Sequence, residues 1–235
     1  MKVLYEDNHI IVVEKMPNVP SQADKTGDED MLTIIKSYLK EKYNKPGNVY
    51  LGLVHRLDRP VGGVMVFAKT SKAASRLSEE IRNKTFKKTY LAIVNGKMES
   101  ESGEYVDYLW KDEKQNTSYV VKEGKKNSKL AKLNYEVIAY NEKENVSLVK
   151  INLQTGRHHQ IRVQFSSRMH ALYGDSKYHG RGAGSGICLW AYKIKFVHPV
   201  KKEEMEFEDF PPKEGMWGKL WLLRALTYLK FMVTG

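Results

Sequence analysis

The chain has 235 residues, 41% hydrophobic and 29% charged, which is long enough to bury a real core without disulfide staples. Its one cysteine, Cys188, excludes an intrachain disulfide and a cysteine-built zinc site, and a reducing cytoplasm is the expected setting. Lys and Arg number 39 against 28 Asp and Glu, a formal charge of +11, which points to a polyanionic partner, nucleic acid before any other.

In chain order, "VLYEDNHIIVVEKM" reads as two short strands around an Asp-Asn turn, and its acids exclude a signal peptide. "DMLTIIKSYLKEKYN" (30–44) is expected to be an amphipathic helix with Met31, Ile34, Ile35, Tyr38 and Leu39 on one face. The acids at 28–30 favour its start, and "KPGN" breaks the chain after it. "GVMVFAK" reads as a strand. "TSKAASRLSEEIRNK" reads as a helix capped by Thr70 or Ser71, with Ala74, Leu77 and Ile81 inward. "TYLAIVNG" is a strand, and "KLAKLNYEVIAYNEKENVSLVKINL" is a hairpin around "NEKEN". "GRHHQIRVQFSSRM" suits a helix with Ile161, Phe165 and Met169 four apart; "ICLWAYKIKFVHP" and "EMEFEDF" are late strands.

Interleaved strands, helices and hairpins, without repeats, predict an α+β class with one domain over 1–212. The tail, 213–235, is rich in Leu and aromatics; a docked helix is expected, with a partner-binding or membrane-surface helix as the alternative. It is too short and too charged to span a bilayer.

Four stretches could carry chemistry. In "VHRLDRPVGG", Asp58 lies between Arg56 and Arg59 at the start of an apolar strand. Neighbouring guanidinium groups would keep its carboxylate ionised, fit to serve as nucleophile, base or electrostatic stabiliser; an ordinary surface ion pair is the plain alternative. In "LQTGRHHQIRVQF", Arg157 and Arg162 could contact phosphate, bind a buried acid or line a solvated helix face. His158 and His159 sit about 100° apart on a helix, a poor arrangement for one metal ion, and no HExxH spacing exists, so no metal site is expected. Tyr90 in "KKTYLAIVNG" is either a core ring or a ring on which a base stacks. "GRGAGSG" (180–186) matches neither a dinucleotide nor a Walker loop and reads as a plain loop, with phosphate contact the alternative.

Taken together, these blocks resemble the RluA-type pseudouridine synthases. "HRLDRPVGGVMVFAKT" is similar to that family's H-R-L-D signature followed by a small-residue turn and an apolar strand. "VLYEDNHIIVVEKMPNVPSQ", "KKTYLAIVNG", "LQTGRHHQIRVQF…GDSKYHG" and "LWAYKIKFVHPV" match its other motifs in the family's order, over about residues 3–212. The resemblance implies a mixed, largely antiparallel sheet flanked by helices and loops around a central cleft. It also implies isomerisation of uridine in RNA, ribosomal or transfer, without cofactor or metal. Asp58 is then the catalytic aspartate, attacking C1′ or abstracting a ribose proton. Arg157 pairs with it, Tyr90 packs on the target base, and Arg56 fills the stack the flipped base leaves. Lys88 is a structural or phosphate contact and Ile161 walls the uracil pocket, while Arg59 and Arg162 complete the RNA-facing set.

The pattern is broken at Pro60 and Val61, in the turn after Asp58, and at Gln164 and Trp190; the sequence leaves open whether these departures change the RNA-facing surface. No further N-terminal RNA-binding domain is expected, nor an obligate protein partner or a membrane; a monomer is the default. An RNA-structure chaperone of the same fold and a base-excising glycosidase are the competing readings. The second would want another carboxylate to activate water, and these motifs hold none.

Overall fold

The computed structural model describes residues 1–182 and 184–220. They form two compact units, Met1–Lys88 with Ala191–Phe210, and Thr89–Trp190 with the chain from Pro211 onward. The class is α+β, as the interleaved sequence pattern predicts.

The first unit opens with β1 (Val3–Glu6) and β2 (Ile10–Lys15), an antiparallel pair. Their turn forms because Asp7 Oδ1 accepts the N–H groups of His9 and Ile10, at 2.8 and 2.9 Å. Helix α1 (Met31–Lys42) starts at Asp30, whose carboxylate accepts the Leu32 and Thr33 N–H groups. Of its apolar face, Met31, Ile35 and Leu39 are buried, and Ile34 and Tyr38 half-buried. β3 (Gly52–Leu53) and β4 (Gly62–Ala68) follow, then α2 (Ser71–Arg82), capped by Thr70.

Every residue of β4 is buried, as its unbroken apolar run requires. β2 pairs antiparallel with β4, setting Lys15 opposite Gly63. β10 (Leu189–Val197) lies on the other side of β4, and β11 (Glu204–Glu208) pairs antiparallel with β10. Ile10, Val12, Val64, Val66, Leu77, Phe86, Ile194 and Phe196 make one core. Gly63 has φ +121°, and a Cβ there would stand 2.3 Å from the Ala191 carbonyl oxygen, so only glycine fits between these strands.

The second unit is built on β5 (Lys87–Asn95), β6 (Ser102–Asp112), β7 (Thr117–Val121), β8 (Lys129–Asn141) and β9 (Val146–Leu153), in the order β5-β9-β8-β6-β7. All four pairings are antiparallel. α3 (Gln160–Ser166) packs its Phe165 ring against Tyr105 and Tyr135, with centroids 5.1 and 5.8 Å away. α3 is shorter than the sequence pattern suggests. His159 adopts a left-handed backbone, φ 53°, so the helix begins only at Gln160, and His158 and His159 stack their rings at 3.7 Å ahead of it instead of fanning around it. Residues 215–220 are helical; the remainder of the segment expected to form a docked helix, 221–235, lies outside the described residues.

Candidate active site

Asp58 sits in the segment that joins β3 to β4. The Asp58 carbonyl accepts the Val61 N–H at 3.0 Å, closing a four-residue turn whose Pro60 has no N–H to offer. Two buried polar side chains hold that turn. Ser21 clamps the preceding peptide, its hydroxyl accepting the Leu57 N–H at 3.1 Å and donating to the Leu57 carbonyl at 2.9 Å. Lys15, wholly buried at the end of β2, donates its ammonium to the carbonyls of Met16, Arg59 and Val61 at 3.1, 2.9 and 2.6 Å.

Three carbonyl acceptors and an acid make a good cation site, but burial still costs. It pulls the Lys15 pKa down to about 7, against the opposing pull of the Asp58 charge, with Arg59 adding to the drop. Lys15 was not singled out from sequence as a site residue. Its signal was a lysine closing the otherwise apolar "IIVVEK" strand.

Arg59 is turned elsewhere than expected. Its guanidinium reaches the loop before α1, with Asp24 at 3.6 Å, the Thr26 hydroxyl at 2.9 Å and a short contact to Asp28. Lys15 is a cation of this unit whose charge interacts with Asp58. Arg56 is exposed.

His55 is structural: its Nε2 accepts the Val66 N–H of β4 at 3.1 Å, and its ring lies 5.5 Å from Phe86. Burial and the Lys88 charge push its pKa down to about 3, so the ring is neutral with its proton on Nδ1. That Nδ1 has no hydrogen-bond partner among the described residues. Lys88 is itself pulled down by burial. It shares a face of β5 with Tyr90, two residues on; Tyr90 is buried and registers against Ile151 of β9.

Arg157 occupies the loop between β9 and α3, and it is exposed. The loop is stitched to β8 around Lys132. Thr155 Oγ1 accepts the Lys132 N–H at 2.8 Å, Gln160 Nε2 donates to the Lys132 carbonyl at 3.1 Å, and Gln160 Oε1 accepts from both Thr155 and the Arg157 N–H. Arg157 Nε donates to the Leu130 carbonyl at 2.9 Å. Its backbone and the root of its side chain are thus fixed, which suits a guanidinium that must meet a partner in one place.

The two arginines of this motif take different roles. Arg162 is buried and grips Asp175 with two bonds, Nε to Oδ2 at 2.7 Å and Nη2 to Oδ1 at 2.8 Å. Of the alternatives the sequence left open for Arg162, a buried acid is the one realised, and it displaces the expectation of an RNA-facing group. Ile161 is buried. Three of the departures from the family pattern are buried too: Val61, Gln164 and Trp190 are 2%, 0% and 3% exposed. Gln164 donates to Asp107 at 2.7 Å.

An acidic turn anchored by a buried lysine thus stands in one unit, and an aromatic strand residue and a positioned arginine stand in the other. The comparisons give the class. Residues 9–167 match the family model described as RNA pseudouridylate synthase, and the chain belongs to that family of isomerases. It is 34% identical over 207 residues to the uncharacterized RNA pseudouridine synthase YhcT of Bacillus subtilis (strain 168), covering 86% of this chain and 66% of that protein. To the ribosomal large subunit pseudouridine synthase C of Escherichia coli (strain K12) it is 34% identical over 227 residues, covering 91% and 67%. The chain thus spans about two thirds of the length of these relatives. In fold it is similar to human RNA Pseudouridylate Synthase Domain Containing 4, with TM-score 0.74 at 21% identity over 90% of this chain and 89% of that one.

Proposed function

We propose that the chain isomerises specific uridines of structured RNA, ribosomal or transfer, to pseudouridine, and that Asp58 is the catalytic residue. In the reaction the N1–C1′ bond breaks, the uracil turns, C5 joins C1′, and the hydrogen on C5 leaves as a proton while N1 takes one up. Nothing else is added or lost, so no cofactor enters the scheme. The observation that carries the reading is the Asp58 turn, whose backbone is pinned by Ser21 and Lys15 so that the carboxylate stands on a rigid support at the head of β4. Such support is what a group acting at one carbon requires.

Asp58 acts as nucleophile at C1′ or as base toward a ribose proton, and both roles use its carboxylate. The base must leave the stack to turn, at a cost of a few kcal/mol. Arg56, exposed beside the turn, fills the vacated place. Tyr90 offers its ring to the extruded uracil, Ile161 an apolar wall, Lys88 a phosphate contact and Arg157 a counter-charge for the carboxylate. In this reading the acting domain is 1–212, a soluble monomer working on RNA in the cytoplasm.

The test is tritium release from [5-³H]uridine-labelled ribosomal and transfer RNA transcribed without modification, with Asp58→Asn beside the wild type. Release by wild type alone, with RNA binding retained in the variant, is expected. Equal release by the variant would remove Asp58 from the chemistry, and abasic RNA would show glycosidase action instead.

A further inference from the structure

The β6–β7 hairpin and the loop after it carry features that the catalytic reading does not use. Trp110 of β6 faces Tyr119 of β7 as a direct cross-strand pair, rings 6.3 Å apart and 27° from parallel. They stand on the face opposite Leu109 and Ser118, which are buried toward α3 and Tyr178. Tyr119 is 41% exposed, and its hydroxyl is fixed by donation to Gln115 Oε1 at 2.8 Å, so the ring is held ready while its face stays open. The loop 122–128 folds back so that Lys125 Nζ lies 3.8 Å from the centre of the Trp110 ring. Ser128, through its N–H and hydroxyl, donates to the Lys125 carbonyl and holds that fold, at 3.1 and 2.7 Å.

The charge around this pair is one-sided. Between residues 111 and 132 stand seven lysines and three acids. Two of the acids are already engaged, Glu113 with Lys111 and Glu123 with the Tyr108 hydroxyl. Lys114, Lys122, Lys126 and Lys129 are exposed and make no ion pair among the described residues. A pre-positioned aromatic pair, Tyr119 exposed and Trp110 half-buried, beside unneutralised lysines is the combination that binds single-stranded nucleic acid: rings stack bases, and lysines take the phosphates. An apolar protein partner would want fewer charges at the centre of the patch.

We propose that Trp110, Tyr119 and Lys125 form a second RNA-binding site, made of residues outside the candidate active site, which stacks an unpaired nucleobase of the substrate RNA. Lys125 holds the indole face until RNA arrives. The base then displaces the ammonium, which moves to the adjoining phosphate. Exchange in that direction is favourable because base stacking on an aromatic ring outweighs an exposed cation–π contact. The site deepens the proposed function by naming a feature of the substrate, unpaired nucleotides flanking the target, and it rests on that reading only for the identity of the RNA.

Binding is measured with single-stranded oligoadenylate and oligouridylate of roughly 12 residues and with an RNA duplex of the same length, on the full chain at several salt concentrations. The variants are Trp110→Leu, Tyr119→Ala and Lys125→Gln. Wild type is expected to prefer the single strands. Trp110→Leu and Tyr119→Ala should each weaken single-strand binding on the order of tenfold with an unchanged salt slope, and Lys125→Gln should lower that slope by about 0.7. Because Tyr119 is exposed, its variant keeps the test valid if Trp110→Leu folds poorly. In tritium release the variants should raise KM and leave kcat alone.

Unchanged oligonucleotide binding in Tyr119→Ala and Lys125→Gln would overturn the proposal, as would a doubling of mass by sedimentation that either variant abolishes, since the patch would then be a dimer surface. Absence of tritium release from wild type would sink the catalytic reading alone, because the oligonucleotide measurements do not depend on it.

Discussion

Replacing Lys15 by methionine separates the support of the candidate catalytic turn from the stability of the fold. Methionine fits the volume and keeps β2 apolar, but it removes all three bonds to the Met16, Arg59 and Val61 carbonyls. The Arg59 carbonyl still accepts the Asn18 N–H at 2.8 Å, and the Met16 carbonyl keeps a long bond from Val19, so the Val61 carbonyl suffers most. An orphaned buried acceptor costs about 1–3 kcal/mol. Against this, holding the ammonium charged is itself expensive: the fall from 10.5 to about 7 corresponds to roughly 5 kcal/mol. The two effects oppose, as they do when buried ions are exchanged for apolar groups. Lys15→Met should therefore stabilise the fold by about 2–4 kcal/mol, read by urea denaturation. Activity should nonetheless fall, by about 100-fold in kcat, because an unanchored turn misplaces Asp58 by a fraction of its reach. RNA affinity should hold.

The same lysine predicts a pH signature. In the folded chain it loses its proton near pH 7, and in the unfolded chain near 10.5. Below about 7 both states hold the proton, and the penalty of the buried ammonium is carried in full. Between about 7 and 10.5 the unfolded chain binds more protons, so stability rises with pH. A neutral amine has only two N–H groups for three carbonyls and no charge beside Asp58, so kcat should fall with a midpoint near pH 7, where the folded chain loses that proton. Lys15→Met should lack both slopes. Full activity in the variant, or an alkaline limb that survives it, would refute the reasoning.

Two further substitutions test the scaffold. Gly63→Ala forces a Cβ against the Ala191 carbonyl oxygen at a φ of +121°; thermal and urea unfolding should show a loss of roughly 2–4 kcal/mol or no fold at all. Arg162→Met leaves the Asp175 carboxylate buried and uncompensated and should cost about 3–5 kcal/mol. Adding Asp175→Leu should recover most of that, whereas an RNA-contact role would show as lost RNA affinity in the well-folded double variant.

The parts of the fold legible in the sequence were those where one local rule decides. α1 and α2 were bounded by a cap residue and a helical stripe, and β4 by an apolar run without interruption. The β6–β7 hairpin had no such mark: "YLWKDEKQNTSYVV" alternates weakly, because its outward face carries Trp110 and Tyr119 instead of polar residues. α3 misled for a related reason. A helical stripe at Ile161 and Phe165 says nothing about where the helix begins, and the left-handed backbone of His159 sets that point. Asp58 stood out by its sequence neighbours, but the Lys15 charge that interacts with it is brought there by the β2–β4 register. Contacts of that kind, 43 positions apart in the chain, are set by strand pairing and leave only a faint trace: a lysine where the pattern wants an apolar residue.

The family departures carry the last step. Changes at Val61, Gln164 and Trp190 invite a reading as altered RNA choice, yet all three side chains are buried. Gln164 reaches Asp107, which also pairs with Arg168, so a change there is answered within the packing of α3 against β6. A buried residue can alter RNA selection only by moving a surface, and the close packing around these three gives them little freedom to do so. Selection falls instead to groups that solvent reaches. Arg56 and Arg157 are exposed, and so are Lys114, Lys122, Lys126 and Lys129 near Trp110 and Tyr119. On a chain with a net charge of +11, exchanging those lysines should therefore change which RNA is bound, while exchanging the buried departures should change only how firmly the fold is held.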